Sequence, residues 1–189
     1  FLVVFTTNGN LFPNNKDLIK ELVKAHPKVT SVCQNIQNKP TKFVVLEDEK
    51  VLYGKGYITD YIGDLAFQIS ARAFYQVNPM QMMNLYSKAL EMAQIKDDEI
   101  VLDCYSGIGT ITLLAAKQAK EVYGFEINSA SVKDAVVNKK NNNVKNAFFY
   151  NGDVENLIEE FDKKVDLLIM DPTRDGASLK FIQAVQKMK

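Results

Sequence analysis

Apolar and polar positions fall into two textures along this chain. Over the first part, short apolar runs rich in β-branched and aromatic residues follow one another closely. Leu2–Thr6, Val29–Ile36, Phe43–Leu46, Tyr57–Tyr61 and Leu65–Ile69 read as strands. Between the first two, Leu18, Ile19, Leu22 and Val23 recur at helical spacing across Asp17–Ala25. Asn8-Gly-Asn10 and Pro13-Asn-Asn15 supply turn chemistry, Asp48–Lys50 reads as a charged turn, and Gly63-Asp64 separates the last two strands. Several strands with one helix predict a small α+β domain over residues 1–74.

Near Ala73 the texture changes. Pro79 suits the first turn of a helix, where its missing N–H costs nothing, and Met82, Met83, Leu85, Tyr86, Leu90 and Ala93 carry a helix over Met80–Ala93. From there strands and helices alternate. Strands are predicted at Ile100–Leu102, Val122–Phe125, Ala147–Tyr150 and Val165–Met170, and helices at Thr110–Ala119, Ser129–Asn138, Val154–Phe161 and Ala177–Met188. That alternation predicts an α/β domain over residues 75–189 with a parallel, Rossmann-like sheet and right-handed crossovers. Ligands of such sheets sit beyond the carboxyl ends of the strands, where this chain places Asp103, Glu126, Asp153 and Asp171.

The densest signal is Val101-Leu-Asp-Cys-Tyr-Ser-Gly-Ile-Gly-Thr110, a buried strand running through a glycine turn into a helix. Gly107 and Gly109 let backbone approach a ligand at the helix start. A third glycine, which a pyrophosphate favours, is replaced by Thr112. The acid of Glu121-Val-Tyr-Gly-Phe-Glu126 follows at about 20 residues, the separation at which a carboxylate meets ribose hydroxyls. Together these favour an adenosyl ligand without phosphates, S-adenosylmethionine, over NAD. Competing structural readings stand beside this one. Strand-end acids also cap helices, Tyr105 also packs beneath its own turn, Gln76-Val-Asn78 also makes a helix entry, and Asp171-Pro-Thr-Arg-Asp-Gly176 is also a stiff turn with a surface arginine.

Composition narrows the classes. Hydrophobic residues make up 47%, enough for a packed core, and Lys+Arg and Asp+Glu balance at 23 each, so overall charge does not point to nucleic acid. Asn138–Asn146 is locally biased and reads as a solvated helix end, with a nucleic-acid patch as the sharper alternative. The two cysteines, Cys33 and Cys104, form no zinc spacing and no disulfide framework, so a reducing cytoplasm and a metal-free segment are expected. No apolar run approaches the ~20 residues of a membrane span. The chain opens on Phe1 within a strand-like run, without a basic leader or initiator Met, as expected of a fragment of a longer protein.

Phe74-Tyr-Gln-Val-Asn78, Asp103-Cys-Tyr-Ser-Gly-Ile-Gly-Thr110, Tyr123-Gly-Phe-Glu126 and Asp171-Pro-Thr-Arg174 occur in this order, with Tyr61-Ile-Gly-Asp64 and Ile69-Ser-Ala-Arg72 upstream. On these motifs nearly the whole chain resembles the bacterial RNA uracil-5-methyltransferases of the 23S ribosomal RNA type. The resemblance implies an S-adenosylmethionine-dependent methyltransferase sheet, incomplete at its C-terminus, acting on uridine C5 of ribosomal RNA. It also implies roles. Gln76 stands at the methyl donor, Phe74 contacts the RNA, and Tyr105 lies beside the cofactor in the turn with Gly107 and Gly109. Glu126 binds the ribose, Asp153 lies near the adenine, and Asp171 stands between cofactor and target uracil.

Two departures qualify it. Thr173 replaces the family's Pro or Ala, a change that keeps the residue small. The family's nucleophilic cysteine, in a Ser-Cys-Asn segment, and its later general-base glutamate both lie beyond Lys189, so these residues alone are expected to bind cofactor without turnover. An NAD-dependent oxidoreductase and a non-catalytic RNA-binding module remain the competing functions.

Overall fold

A computed structural model describes residues 1–37, 48–76, 78–172, 174 and 176–188. The chain divides into two compact units. One holds Phe1–Asp60 with Gln68–Arg72, and the other holds Tyr61–Phe67 with Ala73–Lys189.

In the first unit, β1 (Leu2–Thr7), α1 (Asn15–Ala25) and β2 (Ser31–Ile36) form a β–α–β segment, with β1 and β2 parallel. β3 (Glu49–Gly54) pairs antiparallel on the other edge of β2. Ile19, Val29 and Val32 form the core, joined by Val3, Phe5, Leu22, Val23 and Leu52. As the central strand, β2 is buried at every position, including the polar Ser31, Gln34 and Asn35. Ser31 Oγ accepts the Lys55 and Gly56 amides at 3.0 and 2.9 Å. The expected charged turn at Asp48–Lys50 is instead the entry of β3, because the free edge of β2 recruits Glu49 and Lys50 into its ladder. The expected strand Phe43–Leu46 lies outside the described residues. β4 (Tyr57–Ile62) and β5 (Leu65–Ser70) make a two-stranded sheet.

The second unit begins its main run with α2 (Pro79–Ala93). It continues through β6 (Ile100–Cys104), α3 (Thr110–Ala115), β7 (Glu121–Glu126), α4 (Ser129–Asn141), β8 (Ala147–Asn151), α5 (Val154–Glu160), β9 (Leu167–Met170) and α6 (Leu179–Lys187). The four strands are parallel in the order β8-β7-β6-β9. After β6 the chain winds outward through β7 and β8, then crosses back to place β9 on the other side of β6. That reversal puts the topological switch point between β6 and β9, the place where open α/β sheets take ligands. The apolar runs of the central strands are continuous because parallel strands covered by helices are buried on both faces. Leu102, Cys104, Tyr123, Phe125, Val154, Ile158, Phe181 and Ala184 form the core.

Several expected helix ends shift, among them the end of α4, which runs on from Asn138 to Asn141, and two have a visible local cause. α3 stops at Ala115, and the next residues tighten into turns, Lys117 N–H donating to Leu114 O at 3.3 Å and Gln118 N–H to Ala115 O at 2.9 Å. α6 starts at Leu179 because the Ser178 hydroxyl oxygen accepts the Phe181 amide at 3.1 Å. Among the described residues no helix is long and apolar enough to cross a membrane.

Candidate functional site

The turn leaving β6 is built from left-handed backbone. Tyr105 has φ 67°, Gly107 φ 55° and Gly109 φ 83°. The two glycines serve different ends. A Cβ on Gly107 would meet nothing within 4 Å, so glycine there provides the conformation and leaves the backbone open. A Cβ on Gly109 would lie 2.6 Å from Phe149 Cζ, so that glycine makes room for the β8 ring beneath the turn. Tyr105 holds its conformation without a glycine's freedom, with its ring half-buried 6.0 Å from that of Phe181.

At the end of β7 the Glu126 carboxylate is fixed from both sides. Its Oε2 accepts the Gly107 amide at 2.9 Å and its Oε1 accepts the Asn128 amide at 2.7 Å. Asn128 is itself held as the cap of α4, accepting the Ala130 and Ser131 amides. A carboxylate offers about four acceptor positions, so two amide bonds orient Glu126 and leave capacity for two hydroxyl donors.

Asp103, one strand over, is buried to 1% exposure, and Thr112 Oγ1 donates to its Oδ2 at 2.6 Å. Burial pushes its carboxyl up to about 7, against the bonds from the Thr112 hydroxyl and amide, and the negative charges of Asp171 and Glu126 push the same way. Thr112 occupies the place of a third fingerprint glycine, and its hydroxyl is what tethers this acid. That partnership is invisible in the sequence, where Thr112 reads only as a missing glycine.

A cleft at the carboxyl ends of β6 and β9 brings together Phe74, Gln76, Tyr105, Gly107 and Asp171, floored by Asp103 and Tyr86. Gln76 Nε2 donates to Asp171 Oδ2 at 3.4 Å. Phe74 is 71% exposed at the rim. Glu126, Gly109 and Asp153 are not in the cleft wall; Glu126 is linked to it through the Gly107 amide. Asp153 caps α5, its Oδ1 accepting the Glu155 amide at 2.8 Å. Asn78 caps α2 by accepting the Gln81 amide at 3.2 Å, so the segment holding Gln76 is also a helix entry. Val77, Thr173 and Asp175, from the Phe-Tyr-Gln-Val-Asn and Asp-Pro-Thr-Arg-Asp-Gly segments, lie outside the described residues. A larger cavity lies between α5 and α6, lined by Phe161, Lys163, Lys180 and Met188. It contains neither the glycine turn nor a strand-end acid of β6, β7 or β9, so volume and chemistry point to different places, and chemistry selects the cleft.

Cys33 and Cys104 are both fully buried, and burial pushes each thiol up to about 12. Neither has the thiolate character of a nucleophile.

A parallel sheet with a glycine turn after its first strand and an acid at the end of its second is shared by several nucleotide-binding folds, and comparison with known proteins separates them. Residues 95–188 match the family described as a methyltransferase domain. The fold is that of the S-adenosylmethionine-dependent methyltransferases, and S-adenosylmethionine is the cofactor that goes with it. Over the whole chain, relatives from Oceanobacillus iheyensis and Halalkalibacterium halodurans, both described as uncharacterized RNA methyltransferases, are 40% and 42% identical. The chain spans 42% of the length of each. A solved Pyrococcus abyssi tRNA (uracil-54, C5)-methyltransferase in complex with S-adenosyl-L-homocysteine is 25% identical with a TM-score of 0.74, covering 99% of this chain and 44% of its own. A Methanocaldococcus jannaschii tRNA m1G37 methyltransferase shares the fold at TM-score 0.61 and 18% identity, covering 99% of this chain and 53% of its own. The matched residues include every candidate cofactor residue from Tyr105 onward, whereas Phe74 and Gln76 precede them.

Proposed function

We propose that this chain is the cofactor-binding part of an S-adenosylmethionine-dependent RNA methyltransferase that acts at uridine C5, with 23S ribosomal RNA as its substrate. The observation that carries the reading is the Glu126 carboxylate, drawn against the Gly107 amide at 2.9 Å beside a turn with open space above it. That arrangement fits an adenosine whose ribose hydroxyls donate to Glu126 and whose remaining parts pass over Gly107. When bound, S-adenosylmethionine supplies an electrophilic methyl group.

The chain's own residues then have distinct tasks. Glu126 accepts the ribose hydroxyls, and Gly107 and Gly109 shape the turn over which the ligand lies. Tyr105 flanks the ligand with its ring, and Asp153 lies toward the adenine. Gln76 and Asp171, already in contact with each other, stand at the reacting end, where Asp171 faces the target ring and Gln76 the donor. Phe74, exposed at the rim, offers a stacking face to an RNA base. The thiolate that must add to uracil C6 to make C5 nucleophilic comes from neither Cys33 nor Cys104, both buried and protonated. The two free thiols and the absence of a spanning helix among the described residues are consistent with work in the cytoplasm.

The test is methyl transfer from radiolabelled donor to 23S ribosomal RNA and to tRNA transcripts by the natural polypeptide that carries these residues, followed by nucleoside analysis. Label in 5-methyluridine of the ribosomal transcript is the expected result. Label only in tRNA would overturn the substrate, and label in another methylated nucleoside would overturn the chemistry.

A further inference from the structure

α4 has no task in the proposed chemistry, yet it holds both halves of the cofactor grip from behind. At its start the Asn128 amide donates to Glu126 Oε1 at 2.7 Å, while Asn128 Oδ1 caps the helix. Further along the same helix, Asn138 Nδ2 donates to the Ile108 carbonyl oxygen at 3.2 Å, in the middle of the glycine turn. A carbonyl only accepts, so the Asn138 atom that faces it is the nitrogen.

Asn138 is fully buried inside α4, a costly place for an amide. Asparagine is a poorer helix former than alanine, and a buried polar group must find partners away from water. What the bond achieves follows from what it holds. Ile108 lines the cleft and lies between two glycines with left-handed backbone, Gly107 at φ 55° and Gly109 at φ 83°. Glycines on both sides give that stretch unusual freedom, which must be restrained if the turn is to have one shape. The Gly107 amide is held by Glu126 Oε2, a carboxylate that the ligand also uses, and the Gly109 amide bonds to Ser106 O at 2.9 Å within the turn itself. The Asn138 bond ties the turn to a helix that supplies no part of the cleft wall.

We infer that Asn138 is a positioning residue for the cofactor, fixing the Ile108 carbonyl so that the glycine turn stands in a set place relative to Glu126 before the methyl donor arrives. This rests on the functional reading above and adds to it a residue that touches neither the cofactor nor the reacting atoms.

Asn142, at the end of the same helix, supplies the control. Its side chain accepts the Ala66 amide at 2.8 Å and donates to Ala66 O at 2.7 Å and to Asn138 O at 2.8 Å, so its loss loosens α4 without removing a bond to the turn. In the natural polypeptide that carries these residues, Asn138→Ala, Asn138→Leu and Asn142→Ala are compared by thermal melting and by S-adenosylmethionine affinity at a temperature where each is fully folded. All three should lower Tm. Only the Asn138 variants should weaken affinity, by about three- to tenfold, the scale of one hydrogen bond. In methyl transfer their KM for the donor should rise while kcat at saturating donor stays near the parent's. Unchanged affinity in the Asn138 variants would overturn the inference, as would an equal loss in Asn142→Ala, which would mean a general loosening of α4. If neither Asn138 variant folds, hydrogen exchange of the ligand-free parent decides. Protected amides at Gly107 and Gly109 support a turn fixed in advance, and exchange at the rate of an open loop overturns it. A parent that binds the donor while the Asn138 variants match it sinks only this inference; a parent that binds no donor sinks the functional reading with it.

Discussion

Replacing Asp103 by asparagine should flatten the pH dependence of folding stability. In the folded protein this carboxyl is raised from 3.8 to about 7, mainly because it is buried. A group raised in the folded state contributes stability that is fully present below its unfolded pKa and disappears as pH climbs through its folded pKa. Below about pH 4 both states hold the proton. Between there and about 7 the unfolded chain has released it while the folded chain has not, so stability falls with rising pH, and above 7 the contribution is flat. At 1.36 kcal/mol per unit the whole effect is about 4 kcal/mol, of which about 2–3 kcal/mol falls between pH 5 and pH 8. The asparagine side chain would still accept the Thr112 hydroxyl but cannot ionise. Urea melts of both proteins at the two pH values measure the difference directly. The parent should lose about 2–3 kcal/mol more than Asp103→Asn over that interval. Parallel pH dependence in the two proteins would refute the claim that this carboxyl is buried and protonated.

Glu126→Gln should weaken S-adenosylhomocysteine binding by about 10–100-fold, the range for hydrogen bonds to a charged acceptor, read by calorimetry. Gly109→Ala should destabilise more than Gly107→Ala in thermal melts. Both meet a left-handed φ, but only at Gly109 does the new methyl overlap a ring, 2.6 Å from Phe149 Cζ; overpacking of that kind adds about 1–3 kcal/mol. Native Cys33 and Cys104, both raised to about 12, should react with a disulfide reagent at pH 8 roughly a thousandfold more slowly than the urea-unfolded chain, as followed by absorbance.

The centre of the α/β half was legible because β6 and β7 are buried on both faces and so read as apolar runs. Val101–Cys104 and Val122–Phe125 could hardly be anything else once a glycine turn and a helix followed. The edge strand β3 was not legible, since Glu49-Lys-Val-Leu-Tyr-Gly54 carries its charges at the end where pairing starts, and only the neighbouring β2 makes it a strand. The strand-end position of Glu126 could be read from spacing, but its two amide bonds could not, because they depend on how the β6 turn curls toward β7. Asp103 and Thr112 are joined across elements, and no local pattern marks the pair.

Calorimetric titration of these 189 residues with S-adenosylhomocysteine, with NADH as the parallel ligand, tests the central claim most directly. The account predicts saturable binding of S-adenosylhomocysteine and none of NADH. Binding of NADH alone would contradict it, placing the glycine turn and Glu126 in the service of a dinucleotide.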